Sequence, residues 1–292
     1  MTMSQIGCHG SVWTGVFDPE SFRRSVAATV EAGYDLIEIP LLDPYSFDAT
    51  AGRKAVDEYG IAINASLGLD DSTDISSDDP DAVKAGEALL NRAVDVLDEL
   101  GGQWLVGVVY GALKKHMRPA TASGRRNGQE VLRRVSDRAQ AAGVKVGLEV
   151  VNRYETNILN TSKQAVAYVT ELAHPNVYVH LDTYHMNIEE SDMMNPVLDA
   201  GDRLGYVHIG ESHRGYLGSG SVDFDTLFRS LKRIGYDGPI TFESFSSAVV
   251  DEKLSYMLGV WRNLWDDSSD LAAHANDFIR NKIRAVDTIS LH

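Results

Sequence analysis

The chain has 292 residues, with 27 Lys and Arg against 42 Asp and Glu, which gives a formal net charge of −15. This excess of negative charge disfavours binding to the phosphate backbone of nucleic acids. Hydrophobic residues make up 43% of the chain, as in an ordinary folded protein, and no run of about 18 apolar residues is present that could cross a membrane. The composition predicts no nucleic-acid partner and no membrane partner.

Cysteine use and the first residues bear on the cellular compartment. Cys8 is the one cysteine in the sequence, so it has no partner for an internal disulfide. The first residues lack a basic segment followed by a long apolar one, the pattern of a secretion signal. Both features predict a cytoplasmic protein.

Short apolar runs alternate with helical patterns along most of the chain. Strands are predicted at 6–9, 36–39, 61–65, 104–109, 144–149, 177–181, 205–209 and 239–243. Helices are predicted between the first five of these strands, at 22–32, 51–59, 82–100 and 129–142, each with Gly directly or closely after it. Glycine suits the left-handed position that ends a helix, because it has no Cβ atom to clash there. The pattern indicates repeated βα units.

Eight strands separated by helices, without a linker-like segment, favour a (β/α)8 TIM barrel of the α/β class over a doubly wound sheet. We predict a single domain over residues 1–292, with extra helical structure after the eighth strand at 254–265 and 271–289. The aromatic residues Trp261 and Trp265 in that part predict either a subunit interface or the closure of the barrel bottom.

Polar side chains stand near the ends of four consecutive predicted strands. Glu149, Asp182, His208 and Glu243 occupy these positions, each about one βα unit after the last. The carboxyl ends of barrel strands meet at one mouth, so we expect these groups to lie together. Three carboxylates and one imidazole that share a buried site favour a divalent cation of the Mn²⁺, Mg²⁺ or Co²⁺ kind. Any one of them alone could instead be a salt bridge or a helix cap.

A second polar set follows these residues in the predicted loops. It comprises Glu155, His185, Glu211, His213 and Arg214. Taken singly, His185 could be an ordinary loop histidine, and Arg214 a surface cation. Their positions just after ligand-type residues favour contact with a substrate.

These residues carry a resemblance to a known family. The segments LEVVNRYE at 148–155, HLDTYHMNIEE at 180–190, HIGESHR at 208–214 and ESF at 243–245 resemble the D-tagatose 3-epimerase family. This family includes the D-allulose (D-psicose) and L-ribulose 3-epimerases and has a xylose isomerase-like TIM barrel. The resemblance extends to IGCHG at 6–10, SLGL at 66–69 and GVWR at 259–262.

The resemblance implies a metal-dependent ketose 3-epimerase, an isomerase-class enzyme that inverts C3 of free ketoses through a cis-enediolate. The implied substrates are D-fructose, D-allulose and D-tagatose, and also L-ribulose. One cation per chain, Mn²⁺ first and Mg²⁺ or Co²⁺ as alternatives, would be held by the four strand-end groups named above. The family also implies a homodimer or homotetramer.

The resemblance assigns further roles. Glu149 and Glu243 would be the catalytic acid/base pair, and the implied substrate contacts come from His9, Gly68, Glu155, His185 and Arg214. The chain departs from some members at His9, where they have an aromatic residue, and near Leu113, where some relatives have Trp. Both departures concern the far end of the sugar rather than the metal site.

Three other functions fit parts of the pattern. An aldose–ketose isomerase on the same scaffold would move a proton between C1 and C2 of the sugar instead of inverting C3. A related barrel nuclease for abasic DNA would need more metal ligands and a basic groove, which the charge of −15 disfavours. A non-catalytic sugar-binding protein has no need of four metal ligands.

Overall fold

The structure is a computed structural model, which describes residues 4–250 and 252–289. Eight parallel strands in these residues form a closed barrel in chain order, with β8 pairing to β1. The strands are β1 (Ile6–His9), β2 (Leu36–Pro40), β3 (Ala62–Ser66), β4 (Trp104–Gly107), β5 (Lys145–Val150), β6 (Val177–Asp182), β7 (Leu204–Ile209) and β8 (Ile240–Phe242). The predicted TIM barrel of the α/β class is confirmed.

Helices connect the strands and surround the barrel. They are α1 (Pro19–Glu31), α2 (Ala49–Tyr59), α3 (Pro80–Leu100), α4 (Ala122–Ala141), α5 (Ser162–Leu172), α6 (Thr183–Glu189), α7 (Asn195–Ala200), α8 (Phe224–Ile234), α9 (Glu252–Leu258) and α10 (Ser268–Thr288). Two helices follow β8. The long α10 packs against α8, β1 and β8 and completes the outer ring, so α9 is the helix beyond the (β/α)8 repeat in this part of the chain.

Four helices are followed by glycines at the predicted positions. Gly33, Gly60, Gly101 and Gly143 follow α1 to α4 and all have positive φ, between 65° and 81°. These helices bury their apolar residues against the barrel. The glycines end the helices and let the chain turn into the next strand.

One predicted element is wrong in its extent. The helix predicted over 254–265 ends at Leu258, because Gly259 adopts a left-handed φ of 67° and the chain continues without regular structure. Trp265 then enters the main core with 5% of its surface exposed, whereas Trp261 stays 71% exposed. The predicted domain 1–292 includes residues 1–3, 251 and 290–292, which lie outside the described residues.

The barrel interior below the mouth is filled by aromatic and polar side chains. Trp104 contacts Tyr178 and Tyr206 with ring centroids 5.2 and 5.7 Å away. Gly205 makes the space for Trp104, because a Cβ atom there would lie 2.5 Å from its ring. The same interior holds His180 and Asn64 fully or nearly fully buried, so the layer beneath the mouth is unusually polar. Among the described residues, no helix is long and apolar enough to span a membrane.

Candidate active site

The four predicted strand-end groups converge at the carboxyl mouth of the barrel. One ligand-type atom from each of Glu149, Asp182, His208 and Glu243 lies within 4.8 Å of all the others, and all four residues are buried. His208 Nδ1 is 3.8 Å from Glu149 Oε1 and 3.5 Å from Glu243 Oε1. Strand register produces this arrangement, since Asp182 and His208 are direct partners across β6 and β7. The predicted cluster is present.

The donor set fits a divalent cation. Three carboxylates placed this closely repel one another when ionised, and a shared cation removes the repulsion. His208 Nδ1 is buried and has no hydrogen-bond partner among the described residues, although it points at two carboxylates. An imidazole nitrogen without a donor or acceptor partner, facing carboxylate oxygens, is a ready metal ligand.

Asp182 uses its two oxygens differently. It ends β6 and caps α6, with Oδ1 accepting a hydrogen bond of 2.7 Å from the backbone N–H of Tyr184. That bond fixes the rotamer and leaves Oδ2 directed into the site, 3.0 Å from Arg214 Nη1. The helix cap, proposed above as an alternative role for such a residue, therefore coexists with the ligand position.

The two glutamates differ in their electrostatic surroundings. Burial raises the pKa of Glu149 well above its usual range. Burial would raise the pKa of Glu243 as well, but Arg214, which is directly paired with it, and then His208 lower it to about 2. A positive ion held between them would favour the ionised form of both. The protein thus supplies two carboxyl groups with unequal proton affinity on β5 and beyond β8.

His185 is held as a hydrogen-bond donor toward the same space. Its Nδ1 accepts the backbone N–H of Asn152 at 3.1 Å, so the proton of the neutral ring is on Nε2. Burial, followed by the charge of Arg214, keeps the pKa of His185 well below its usual range, so the ring is neutral near pH 7. Nε2 lies 3.7 Å from Glu149 Oε1 and 3.8 Å from Asp182 Oδ2. His185 therefore faces the cluster without being one of its four members.

Arg214 reaches the cluster from the loop after β7. Its guanidinium lies over Tyr184 and Phe245, with centroid distances of 4.0 and 5.2 Å, and it pairs with Asp182 and Glu243. Arg214 adopts a left-handed φ of 62°, which costs a residue with a side chain about 1 to 2 kcal/mol. Its carbonyl accepts the hydroxyl of Ser244, which helps to hold this conformation. The surface-cation alternative for Arg214 is wrong.

Glu155, His9 and Gly68, for which the resemblance implies substrate contacts, also line the site. Burial raises the pKa of Glu155 to about 7, and Asn152 Nδ2 donates to its Oε1 at 2.8 Å. His9 accepts the backbone N–H of Ser11 at Nδ1, so its Nε2 proton lies toward Ser66 Oγ, 3.1 Å away. Of the remaining loop candidates, Glu211 is fully buried but accepts backbone N–H groups of its own loop and does not line this site.

An apolar wall also lines the site. Its members come from the loops after β2 and β4 and from α9 and are Leu42, Val108, Leu113, Leu254, Met257 and Leu258. Leu113, at the position where the resemblance departs from some relatives, contacts this space directly. The site therefore combines charged and hydrogen-bonding groups with an apolar lining.

Sequence reasoning missed two buried residues next to the cluster. Glu38, in the middle of β2, is fully buried and contacts His208. His180, two residues before Asp182, is fully buried with both ring nitrogens lacking a hydrogen-bond partner among the described residues. A charged residue within the apolar run Leu36 to Ile39 was the available signal for Glu38.

Comparison with known proteins agrees with this geometry. A match to the family described as xylose isomerase-like TIM barrel covers residues 26–281. A ketose 3-epimerase from Arthrobacter globiformis is 64% identical over 288 residues, spanning 99% of this chain and 100% of that protein. An L-ribulose 3-epimerase from Methylomonas sp. is 52% identical, spanning 95% of this chain and 97% of that protein.

Solved structures give the same result. The crystal structure of a D-allulose 3-epimerase from Methylomonas sp. in complex with D-allulose has a TM-score of 0.95 and 52% identity, covering 97% of this chain and 98% of that one. The relatives are named epimerases, which favours an epimerase over the isomerase alternative. The chain belongs to the xylose isomerase-like TIM barrel family and, within it, to the ketose 3-epimerases.

Proposed function

We propose that this enzyme inverts C3 of free ketoses, with Glu149 and Glu243 as the acid/base pair. The observation that carries the proposal is the placement of these two carboxyl groups on β5 and directly after β8, in one cluster with Asp182 and His208. Inversion next to a carbonyl requires one group to remove a proton from one face of the carbon and another to return a proton to the opposite face. Two carboxyl groups on separate walls of one mouth meet that requirement.

The cation site is proposed to consist of Glu149, Asp182, His208 and Glu243. A divalent ion bound there supplies Lewis-acid charge that stabilises the enediolate formed when C3 loses its proton. Mn²⁺ is proposed as the ion, with Mg²⁺ and Co²⁺ as alternatives, because carboxylate oxygens with one imidazole suit these metals.

The remaining polar groups bind and orient the sugar. His185 presents its Nε2 proton, and Arg214 its guanidinium, to the oxygens of the substrate next to the reacting carbon. The hydrogen bonds from His185 and Arg214 become stronger as negative charge develops on those oxygens. Glu155, His9 and Gly68 complete the contacts, and the close packing of Arg214 on Tyr184 and Phe245 excludes water from its faces.

The names of the relatives narrow the substrate class. Proteins similar to this chain are named for ketoses in general, for L-ribulose and for D-psicose. We propose D-fructose with D-allulose, D-tagatose and L-ribulose as substrates.

To test the proposal, the purified enzyme is incubated with Mn²⁺ and these ketoses in D₂O. The expected product is the C3 epimer, with deuterium at C3 and none at C1, as seen by NMR. Deuterium at C1 together with an aldose product would show that the enzyme is an aldose–ketose isomerase instead. If no ketose is converted, both the epimerase and the isomerase assignments are refuted. Chromatography of the products ranks the ketoses.

We further propose a homodimer or homotetramer in the cytoplasm, with no nucleic-acid partner. Tyr256 and Trp261 support self-association, because they are 60% and 71% exposed and their rings lie 5.8 Å apart. The buried free thiol of Cys8 is compatible with a reducing compartment. Light scattering coupled to size-exclusion chromatography gives the subunit number, and a monomeric mass would refute the oligomer.

A further inference from the structure

Glu38 is a fully buried carboxylate on β2 whose two oxygens face His208. Its Oε1 and Oε2 lie 3.0 and 2.9 Å from His208 Nε2. Both oxygens are within hydrogen-bond distance of Nε2, so this nitrogen carries a proton that it donates to Glu38.

The position of Glu38 is itself fixed by further hydrogen bonds. Tyr206 Oη lies 2.7 Å from Glu38 Oε2 and 2.9 Å from Thr241 Oγ1. Asn64 Nδ2 donates to the same hydroxyl at 3.4 Å, and Asn64 Oδ1 accepts the backbone N–H of Trp104 at 3.1 Å. Residues of β3, β7 and β8 therefore form a hydrogen-bond network that holds this β2 carboxylate beneath the mouth.

The second ring nitrogen of His208, Nδ1, points away from Glu38. Nδ1 faces Glu149 and Glu243 and has no hydrogen-bond partner among the described residues. The ring thus has one nitrogen bound to a carboxylate below and one directed into the cluster above. A metal-ligating histidine that donates its other N–H to a carboxylate has a fixed tautomer and a more basic ligand nitrogen.

We propose that Glu38 is a positioning residue that fixes the tautomer and orientation of His208 and raises the affinity of the site for its cation. The inference rests on the proposed metal site. It assigns a role to a residue that is not one of the four proposed ligands and does not line the site. Neutralising Glu38 should therefore weaken cation binding even though the four proposed ligands remain.

The first test measures Mn²⁺ binding to metal-free protein through the electron paramagnetic resonance signal of free Mn²⁺. Glu38→Gln keeps the size of the side chain and an oxygen that can accept from His208, but removes the charge. We expect its Kd for Mn²⁺ to rise about 10- to 100-fold, the usual effect of losing such a partner. The matched control is Glu211→Gln, which neutralises another fully buried carboxylate that accepts backbone N–H groups outside the cluster.

The outcomes separate this inference from the proposed function. If the unmodified protein binds no Mn²⁺, Mg²⁺ or Co²⁺, the proposed metal site fails, and the inference with it. If the unmodified protein binds Mn²⁺ and Glu38→Gln binds it equally well, only the role of Glu38 is refuted, even where the variant lowers the melting temperature of the metal-free protein. An equal loss of affinity in Glu211→Gln would also refute a specific role.

A second measurement uses the unmodified protein and so does not depend on how a variant folds. Long-range ¹H–¹⁵N correlation spectra of ¹⁵N-histidine-labelled, Mg²⁺-loaded protein report which ring nitrogen carries the proton. The His208 signals are assigned by their loss in His208→Asn. A proton on Nε2 and a bare Nδ1 are expected. A proton on Nδ1 in the loaded protein would overturn the inference.

Discussion

The guanidinium carbon of Arg214 lies 4.0 Å from the centroid of the Tyr184 ring, on the path between the loop after β7 and the carboxylates of the site. The aromatic face holds the cation by a charge–quadrupole attraction and keeps its charge poorly hydrated. Arg214 is thus a preorganised donor instead of a mobile surface side chain.

This arrangement predicts the effect of Arg214→Ala. We expect kcat/KM to fall about 10²- to 10³-fold, as when one preorganised donor is removed from a developing charge. Bound Mn²⁺ should be retained, because loss of the guanidinium leaves Asp182 and Glu243 with more negative charge to share. Steady-state kinetics and elemental analysis check both parts, and metal lost in proportion to activity would contradict the assigned role.

The proposed acid/base pair predicts the behaviour of Glu149→Gln and Glu243→Gln. Each variant keeps an oxygen that can bind the cation but loses a proton-transfer group, so epimerisation should fall by about 10²- to 10⁴-fold. The rate of C3 inversion and the metal content of each variant are the measurements. Either variant turning over near the unmodified rate would exclude that residue as an acid or base.

Removing the cation should affect both activity and stability. Glu149, Asp182 and Glu243 lie within one cluster and repel one another when all three are ionised, and the single charge of Arg214 offsets this repulsion only in part. Chelation is therefore expected to abolish turnover and lower the melting temperature, and added Mn²⁺ should raise it in a concentration-dependent way. A metal-free protein, verified by elemental analysis, that keeps full activity would disprove the metal requirement.

Glu155 predicts a pH dependence of stability in the metal-free protein. Its pKa is raised from 4.5 to about 7, so the folded state holds a proton that the unfolded chain has released. Protonated Glu155 contributes fully to the free energy of unfolding below about pH 4.5, and this contribution is lost as the pH rises through about 7. Over that range the free energy of unfolding falls by up to about 1.4 kcal/mol per pH unit.

Glu155→Gln should remove that part of the dependence. Urea unfolding at pH 5 and pH 8 provides the comparison, because Glu149 and the other titrating groups remain in both proteins. The variant is expected to gain stability relative to the unmodified protein as the pH rises. A difference that stays constant between these pH values would show that Glu155 ionises normally.

Two glycines with positive φ provide a matched stability test. Gly107 ends β4 with φ of 113°, and a Cβ atom there would lie 2.4 Å from the Leu67 carbonyl oxygen. Gly60 follows α2 with φ of 65°, and no atom of the described residues lies within 4 Å of a Cβ placed there. Gly60→Ala should cost about 1 to 2 kcal/mol from backbone strain alone. Gly107→Ala should lower the free energy of unfolding by more than Gly60→Ala does. Equal losses in the two variants, measured by urea unfolding, would contradict the clash.

Some features of the fold and site could be predicted from sequence because their causes are local. A polar residue near the end of a strand, as at Glu149, and a glycine after a helix, as at Gly143, are visible within a few positions of the sequence. The role of Glu38 could not be predicted this way, since its partner His208 lies 170 positions further along the chain. The end of α9 was missed because the apolar residues continue past Gly259, where only the backbone conformation changes.

The apolar wall formed by α9 and the loops after β2 and β4 has a consequence for the charge of the substrate. A terminal phosphate on the sugar that met this wall would place a dianion against Leu113, Leu254 and Met257, where it would lose hydration without gaining a partner from their side chains. Free and phosphorylated forms of one ketose should therefore differ sharply in kcat/KM. The wall also offers no hydrogen bonds from its aliphatic side chains, so it distinguishes sugars by ionic state far more strongly than by the configuration of a distant hydroxyl group.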